Sequence, residues 1–119
     1  MFKIGEFSQL VRVSPRMLRH YEKCGLLYPA EIDPYTGYRQ YSAGQIALLS
    51  RITALRDTGF SIEQIGDILS HWDDVAYRNH AFSEQSAALR RNIEADEGRL
   101  KKLMQISGTL QKEKTNMHY

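Results

Sequence analysis

The chain has 119 residues and a formal net charge of +2, which fits one ordinary small domain or a domain with an appendage. So small a charge excludes a histone-like polycation, and Cys24 as the single cysteine excludes an intrachain disulfide framework and a multi-thiolate metal site. Through residue 60 eight Lys and Arg stand against five Asp and Glu, and beyond it eight stand against nine, so the basic surplus that attracts a nucleic acid lies in the first half.

The N-terminal residues Met1-Phe2-Lys3-Ile4-Gly5-Glu6 carry no apolar run of signal-peptide length, and no stretch is apolar enough to span a membrane. The expectation is a soluble protein of the cytoplasm. A short amphipathic helix is predicted over Ile4 to Val11, with Ile4, Phe7, Leu10 and Val11 as its apolar positions. After a tight turn at Arg12, Ser14 is a favoured N-cap, Pro15 suits the first helical position, and Gly25 is a helix-ending glycine. At 100° per residue, Arg16, Arg19, His20 and Lys23 share an arc of about 100°, while Leu18 and Tyr21 point the other way. Two short helices joined by a tight turn, the second basic on its free face, make a helix-turn-helix.

Pro29 stops further helix. Two short β segments, Ala30 to Ile32 and Tyr38 to Tyr41, flank the turn sequence Asp33-Pro34-Tyr35-Thr36-Gly37, which reads as a hairpin wing. Two further helices are predicted from capping boxes at Ser42/Gln45 and Ser61/Gln64. Their apolar stripes are Ile46, Leu49, Ile52 and Leu55, then Ile62, Ile65, Ile68 and Leu69.

Asp73 and Asp74 precede a last, long helix expected from about Val75 to about Glu113. Phe82, Leu89, Ile93, Leu100, Leu103, Ile106 and Leu110 form its apolar seam, interrupted at Asp96, Gly98 and Gly108. The first 70 residues form their own compact set of elements, so nothing remains in the chain to cover that seam. A second copy, paired as a two-stranded coiled coil, does. The fold class is therefore mainly α, a winged helix-turn-helix of four short helices and a β-hairpin wing followed by a long dimerisation helix. The domains run 1–73, 74–114 and a tail 115–119.

Arginine pairs two donors with guanine or phosphate, which makes Arg16 and Arg19 the expected readers of a duplex. His20 and Lys23 lie on the same face, Ser14 opens the helix, and Tyr38 and Arg39 beside the wing tip suit phosphate contact. Tyr21 is expected to bury its ring beside Leu18, either with its hydroxyl reaching the DNA backbone or as a core tyrosine with no DNA contact. His71 and His80 are nine residues apart, a spacing that does not place them on one helical face to share a metal, and Trp72 suits packing at a helix junction. No glycine-rich phosphate loop or nucleophile motif is present, so neither a metal, a cofactor nor an enzyme is expected. Two other readings fit fewer of these features: a small architectural, excisionase-like DNA-binding protein without effector, and a coiled-coil protein-interaction module.

Ile4-Gly5-Glu6, Val13-Ser14 with Arg16, Leu18-Arg19-His20-Tyr21-Glu22, Gly25-Leu26-Leu27, Gly37-Tyr38-Arg39 with Tyr41-Ser42, and Gly59-Phe60-Ser61 with Glu63 and Ile65 follow in fixed order. Together they closely resemble the MerR family of bacterial transcription regulators over about residues 2 to 70. The resemblance implies a homodimer joined by an antiparallel coiled coil, with each recognition helix in a major groove of a pseudo-palindromic promoter operator. It implies wings on the flanking backbone and distortion of the promoter spacer, so that RNA polymerase is engaged indirectly. The DNA contacts it carries over are Arg16, Arg19, His20, Tyr21, Tyr38 and Arg39. The family commonly has tyrosine where this chain has His20, a side chain that titrates near neutral pH. Its metal- and redox-sensing branches place cysteines around the far helix, where this chain has none. Its drug-binding branch adds a C-terminal effector domain, and Asn116 to Tyr119 resemble the start of that domain's first strand. The expectation drawn from this is the DNA-binding part of a longer regulator, whose small-molecule effector is taken by a domain not present here.

Overall fold

A computed structural model describes residues 1–116, with side chains through Gln111. Met1–Arg78 form one compact unit, and a second begins at Asn79.

The first unit opens with β1 (Phe2–Lys3) and α1 (Ile4–Val11). The Glu6 carboxylate accepts from the Lys3 backbone N–H at 3.0 Å, satisfying a donor that the helix leaves free. Of the expected apolar stripe only Phe7 is fully buried, and Leu10 is exposed. Arg12 ends α1 in a left-handed conformation. The Ser14 hydroxyl then accepts from Met17 N at 3.1 Å to open α2 (Pro15–Lys23), with Pro15 in the first turn. Gly25, at φ 77°, turns the chain after α2, the conformation only glycine adopts without a steric cost.

The wing is β2 (Glu31–Ile32) and β3 (Arg39–Tyr41), both a little shorter than predicted. Its tip is fixed by Asp33, whose carboxylate accepts from Tyr35 N at 2.8 Å and Thr36 N at 3.2 Å. The strand order is β1-β3-β2, all antiparallel, with Phe2 opposite Tyr41 and Ile32 opposite Arg39. The sequence reading has no counterpart for β1, because two residues show no periodicity. That strand pins the base of the wing to the start of the chain.

Helix α3 (Gln45–Asp57) starts later than the Ser42/Gln45 capping box implies. Only half of the box forms. The Gln45 side chain accepts from Ser42 N at 3.0 Å, but Gly44 occupies the cap position and no hydroxyl caps the helix. Gln45 also donates to the Tyr28 carbonyl, tying the helix start to the chain leaving α2. Helix α4 (Ile62–Ser70) has the complete reciprocal box, Gln64 N to Ser61 Oγ at 3.1 Å and Ser61 N to Gln64 Oε1 at 2.9 Å.

Phe7, Leu18, Tyr21, Leu27, Tyr41, Leu49, Ile52 and Ile65 form the fully buried centre of this unit. Phe7 and Tyr41 stack at 4.6 Å with rings only 8° from parallel, so α1 and β3 share one aromatic contact. The core therefore draws on α1, α2, β3, α3 and α4, and fixes α2 by its Leu18 and Tyr21 face.

Helix α5 (Val75–Asn116) has 42 residues, about 60 Å at 1.5 Å per residue. The Asp74 carboxylate caps it, accepting from Tyr77 N at 3.1 Å. The first turn of α5 belongs to the same compact unit as the wing. Arg78 donates to the Trp72 carbonyl at 2.7 Å, and its guanidinium stands 5.1 Å from the Trp72 ring. Arg51 lies 4.4 Å from the same ring, so Trp72 packs at the junction as expected. The helix passes unbroken through Asp96, Gly98 and Gly108. Leu89, Ile93, Leu100, Leu103, Ile106 and Leu110 are each 42–62% exposed, while Phe82 is half-buried. Asn116 closes this helix, and the remaining residues of the expected effector-domain strand, Met117 to Tyr119, lie outside the described residues.

Candidate nucleic-acid interface

The core holds one face of α2 and leaves the other free. Arg16, Arg19, His20 and Lys23 are all exposed, whereas Leu18 and Tyr21 have no exposed surface. Three cations and an imidazole on one nine-residue helix offer both point charges for phosphates and planar forks for base edges. Ser14 is committed to capping, so its contribution to this face is the placement of the helix start.

Tyr21 corrects an expectation. It has no exposed surface, so it cannot touch a duplex while the fold is intact. Its hydroxyl accepts from Arg56 Nη1 at 2.9 Å rather than reaching the backbone. The side chain therefore ties α2 to the end of α3 and orients the basic face without joining it.

Glu22 and Arg39 make a second tie. Arg39 Nε donates to Glu22 Oε1 at 2.6 Å and Nη2 to Oε2 at 3.2 Å, a forked pair with both side chains partly shielded. Nη1 also donates to the Gly37 carbonyl at 3.4 Å. Hydrogen bonding from Arg39 lowers the Glu22 pKa below the ordinary glutamate range against the opposing effect of burial, with the Arg19 charge assisting. The same bond raises the Arg39 pKa. Two of the Arg39 N–H groups remain free of these partners. Tyr38, beside it, is 71% exposed.

Tyr41, within electrostatic reach of this pair, has its hydroxyl buried and unpartnered among the described residues. Burial and the nearby Glu22 carboxylate raise its pKa. At the far end of α2, Cys24 Sγ lies 3.6 Å from His20 Nε2.

Glu22 and Arg56, which tie α2 to the wing and to α3, are the contacts that sequence reading missed. An acid within a basic helix is a signal for Glu22, since it calls for a cationic partner. Arg56 lies 35 residues from Tyr21, and nothing local to either position announces their contact. Among the described residues no group of three His, Cys, Asp or Glu side chains comes together to hold a metal. His71 stacks on Tyr77 at 4.1 Å and donates from Nδ1 to the Asp67 carbonyl, well apart from the basic face in sequence.

Comparison with known proteins places this arrangement. Residues 2–72 match the family described as MerR HTH family regulatory protein. The HTH-type transcriptional regulator HmrR of Sinorhizobium medicae is 34% identical over 115 residues, covering 97% of this chain and 76% of that protein. Among solved structures, the EcmrR–DNA complex in EcmrR-RPo is similar with a TM-score of 0.70 at 32% identity, over 78% of this chain and 33% of that one. HiNmlR, a MerR family regulator lacking the sensor domain and bound to promoter DNA, has a TM-score of 0.64 over 96% of this chain and 93% of that one. At 24% identity that last likeness speaks for the fold. The chain belongs to the MerR family of helix-turn-helix regulatory proteins, and is a sequence-specific DNA-binding regulator of transcription.

Proposed function

We propose that the protein acts as a homodimer on a pseudo-palindromic promoter operator and regulates transcription by distorting the promoter spacer. The observation that carries the proposal is the pairing of a free basic face on α2 with an exposed apolar seam on α5. A lone long helix with such a seam is poorly stable in water, and an antiparallel second copy buries it. Dimerisation then brings two α2 helices to one duplex, where half-sites about 34 Å apart face the same side.

Within each subunit Arg16 and Arg19 read base edges, while His20 and Lys23 contact bases or phosphates at the rim of the groove. Tyr38 contacts the backbone from the wing, as do the two free N–H groups of Arg39. Phe82, Leu89, Ile93, Leu100, Leu103, Ile106 and Leu110 form the dimer seam. RNA polymerase responds to the altered DNA. The placement rests on family membership and on the EcmrR–DNA likeness.

The test is duplex affinity measured against salt concentration, followed by selection of preferred sequences from a random pool. Each neutralised phosphate contributes about −0.9 to the logarithmic slope, so a multi-contact dimer has a steep dependence and enriches a two-fold-symmetric site. A flat salt dependence, or enrichment of no symmetric site, overturns the proposal.

A further inference from the structure

Arg12 occupies the turn between α1 and α2 with φ 58° and ψ 40°. Among the described residues it is the one non-glycine with positive φ. In this region the Cβ crowds the following carbonyl oxygen, so such positions ordinarily go to glycine. Gly25, Gly37 and Gly59 follow that preference. The turn requires the conformation, because the N–H groups of Arg12 and Val13 both donate to the Ser8 carbonyl before Ser14 opens α2. It does not require an arginine. The Arg12 side chain is exposed and has no hydrogen bond, ion pair or ring contact among the described residues.

The position of this unpaired cation is informative. It lies just upstream of the Ser14 cap, at the end of α2 that carries Arg16. Pro15 has no N–H there, and Met17 and Leu18 donate to Ser14, so the pull of this helix start on an anion comes from the helix dipole and the Arg16 N–H. Arg12 and Arg16 add two fixed positive charges to it from either side of the cap. We propose that Arg12 is a further DNA-phosphate contact, held at a backbone position where glycine would fold more easily. The inference rests on the DNA-binding reading above and extends its contact set from the helix face into the turn.

A purely structural role for this charge makes a different prediction. Helix α1 has no basic residue in its last turn, and a cation at its end offsets the helix dipole. If that were its whole role, removing the charge would lower the melting temperature and leave DNA binding unchanged. The experiment uses the full chain and a random-sequence DNA duplex, with affinity followed against salt and thermal melting measured alongside. Arg12→Gly and Arg12→Asn, both suited to the left-handed region, are expected to make the salt slope shallower by about 0.9 per subunit. Arg12→Lys is expected to keep most of that slope. The Arg12→Gly melting temperature is expected to equal or exceed that of the parent chain.

Equal slopes in the parent, glycine and asparagine chains overturn the assignment of Arg12. A lower melting temperature for Arg12→Gly overturns the claim that glycine would fold more easily. A parent chain with no salt dependence at all defeats instead the DNA-binding reading beneath both.

Discussion

The Arg39 guanidinium grips the Glu22 carboxylate with two parallel hydrogen bonds, joining the last strand of the wing to the recognition helix. Both elements are short, two strands of two and three residues against a helix of nine, so neither is rigid alone. The pair sets the angle between them. With both side chains less than a third exposed, the coupling is expected at about 1–2 kcal/mol in a double-mutant cycle of Glu22→Gln and Arg39→Ala, measured by denaturant unfolding. Additive effects of the two substitutions would show that the wing is held by its backbone alone.

The same pair makes stability pH-dependent in a definite direction. Arg39 lowers the Glu22 pKa in the folded chain relative to the unfolded chain. The stabilisation is thus fully present above the unfolded glutamate pKa, and is lost as pH falls through the lower folded value. Glu22→Gln removes this contribution and is expected to flatten the acid limb of the stability profile. Melting temperatures recorded from neutral pH into the acid range check it. An unchanged acid limb would place the titration elsewhere.

Arg16 and Arg39 are expected to fail in different ways. Arg16 is free on the open face of α2, so Arg16→Ala should relax base preference, by about 1–3 kcal/mol at each position it reads through a bidentate pair. Arg39 is bound to Glu22 and Gly37, so Arg39→Ala should weaken all duplex sequences alike by loosening the wing. Affinities for a matched and a mismatched operator, compared between variants, separate the two. Lost discrimination in Arg39→Ala would place that side chain against bases.

Much of this layout was legible because local signals did the work. Ser14 with Pro15, Ser61 with Gln64, and the Asp33–Gly37 turn each specify their own geometry through bonds within a few residues. The apolar stripe of α3 likewise named Leu49, Ile52 and Leu55, all buried. What escaped is non-local. Strand β1 exists only because β3 is beside it, and Tyr21 finds its partner in Arg56 across the core. Ser42 shows the remaining limit. Its spacing to Gln45 satisfies the capping pattern, yet the adjacent Ala43 and Gly44 continue a turn and shift the helix start.

Two buried tyrosines should respond oppositely to loss of a hydroxyl. Tyr21 accepts from Arg56, so Tyr21→Phe leaves that guanidinium short of a partner and should destabilise by about 1 kcal/mol. Tyr41 has a buried hydroxyl without a partner among the described residues, so Tyr41→Phe should be neutral or stabilising by about 1 kcal/mol, since no bond is lost. Its stack on Phe7 is retained by phenylalanine. Urea unfolding of each variant reads the sign. Tyr21→Phe should also leave base discrimination intact, because its ring never reaches the surface.

The seam of α5 decides whether the basic faces act in pairs. Leu100 and Leu103 are 56% and 62% exposed in the single chain, and a fully buried leucine contributes about 1.5–3 kcal/mol relative to an exposed one. In a symmetric dimer each substitution acts twice, so Leu100→Glu with Leu103→Glu places four carboxylates in one apolar seam. Charges in an apolar contact cost far more than the leucines contributed. Sedimentation of the full chain should therefore shift from dimer to monomer, with lower helix content, because an unsupported long helix is marginal in water. Operator affinity should fall with it, since two linked half-sites gain from effective concentration and two separate ones do not. A parent chain that sediments as a monomer at micromolar concentration, or a double variant that stays dimeric, would mean that the seam serves some other surface and that α2 meets DNA one copy at a time.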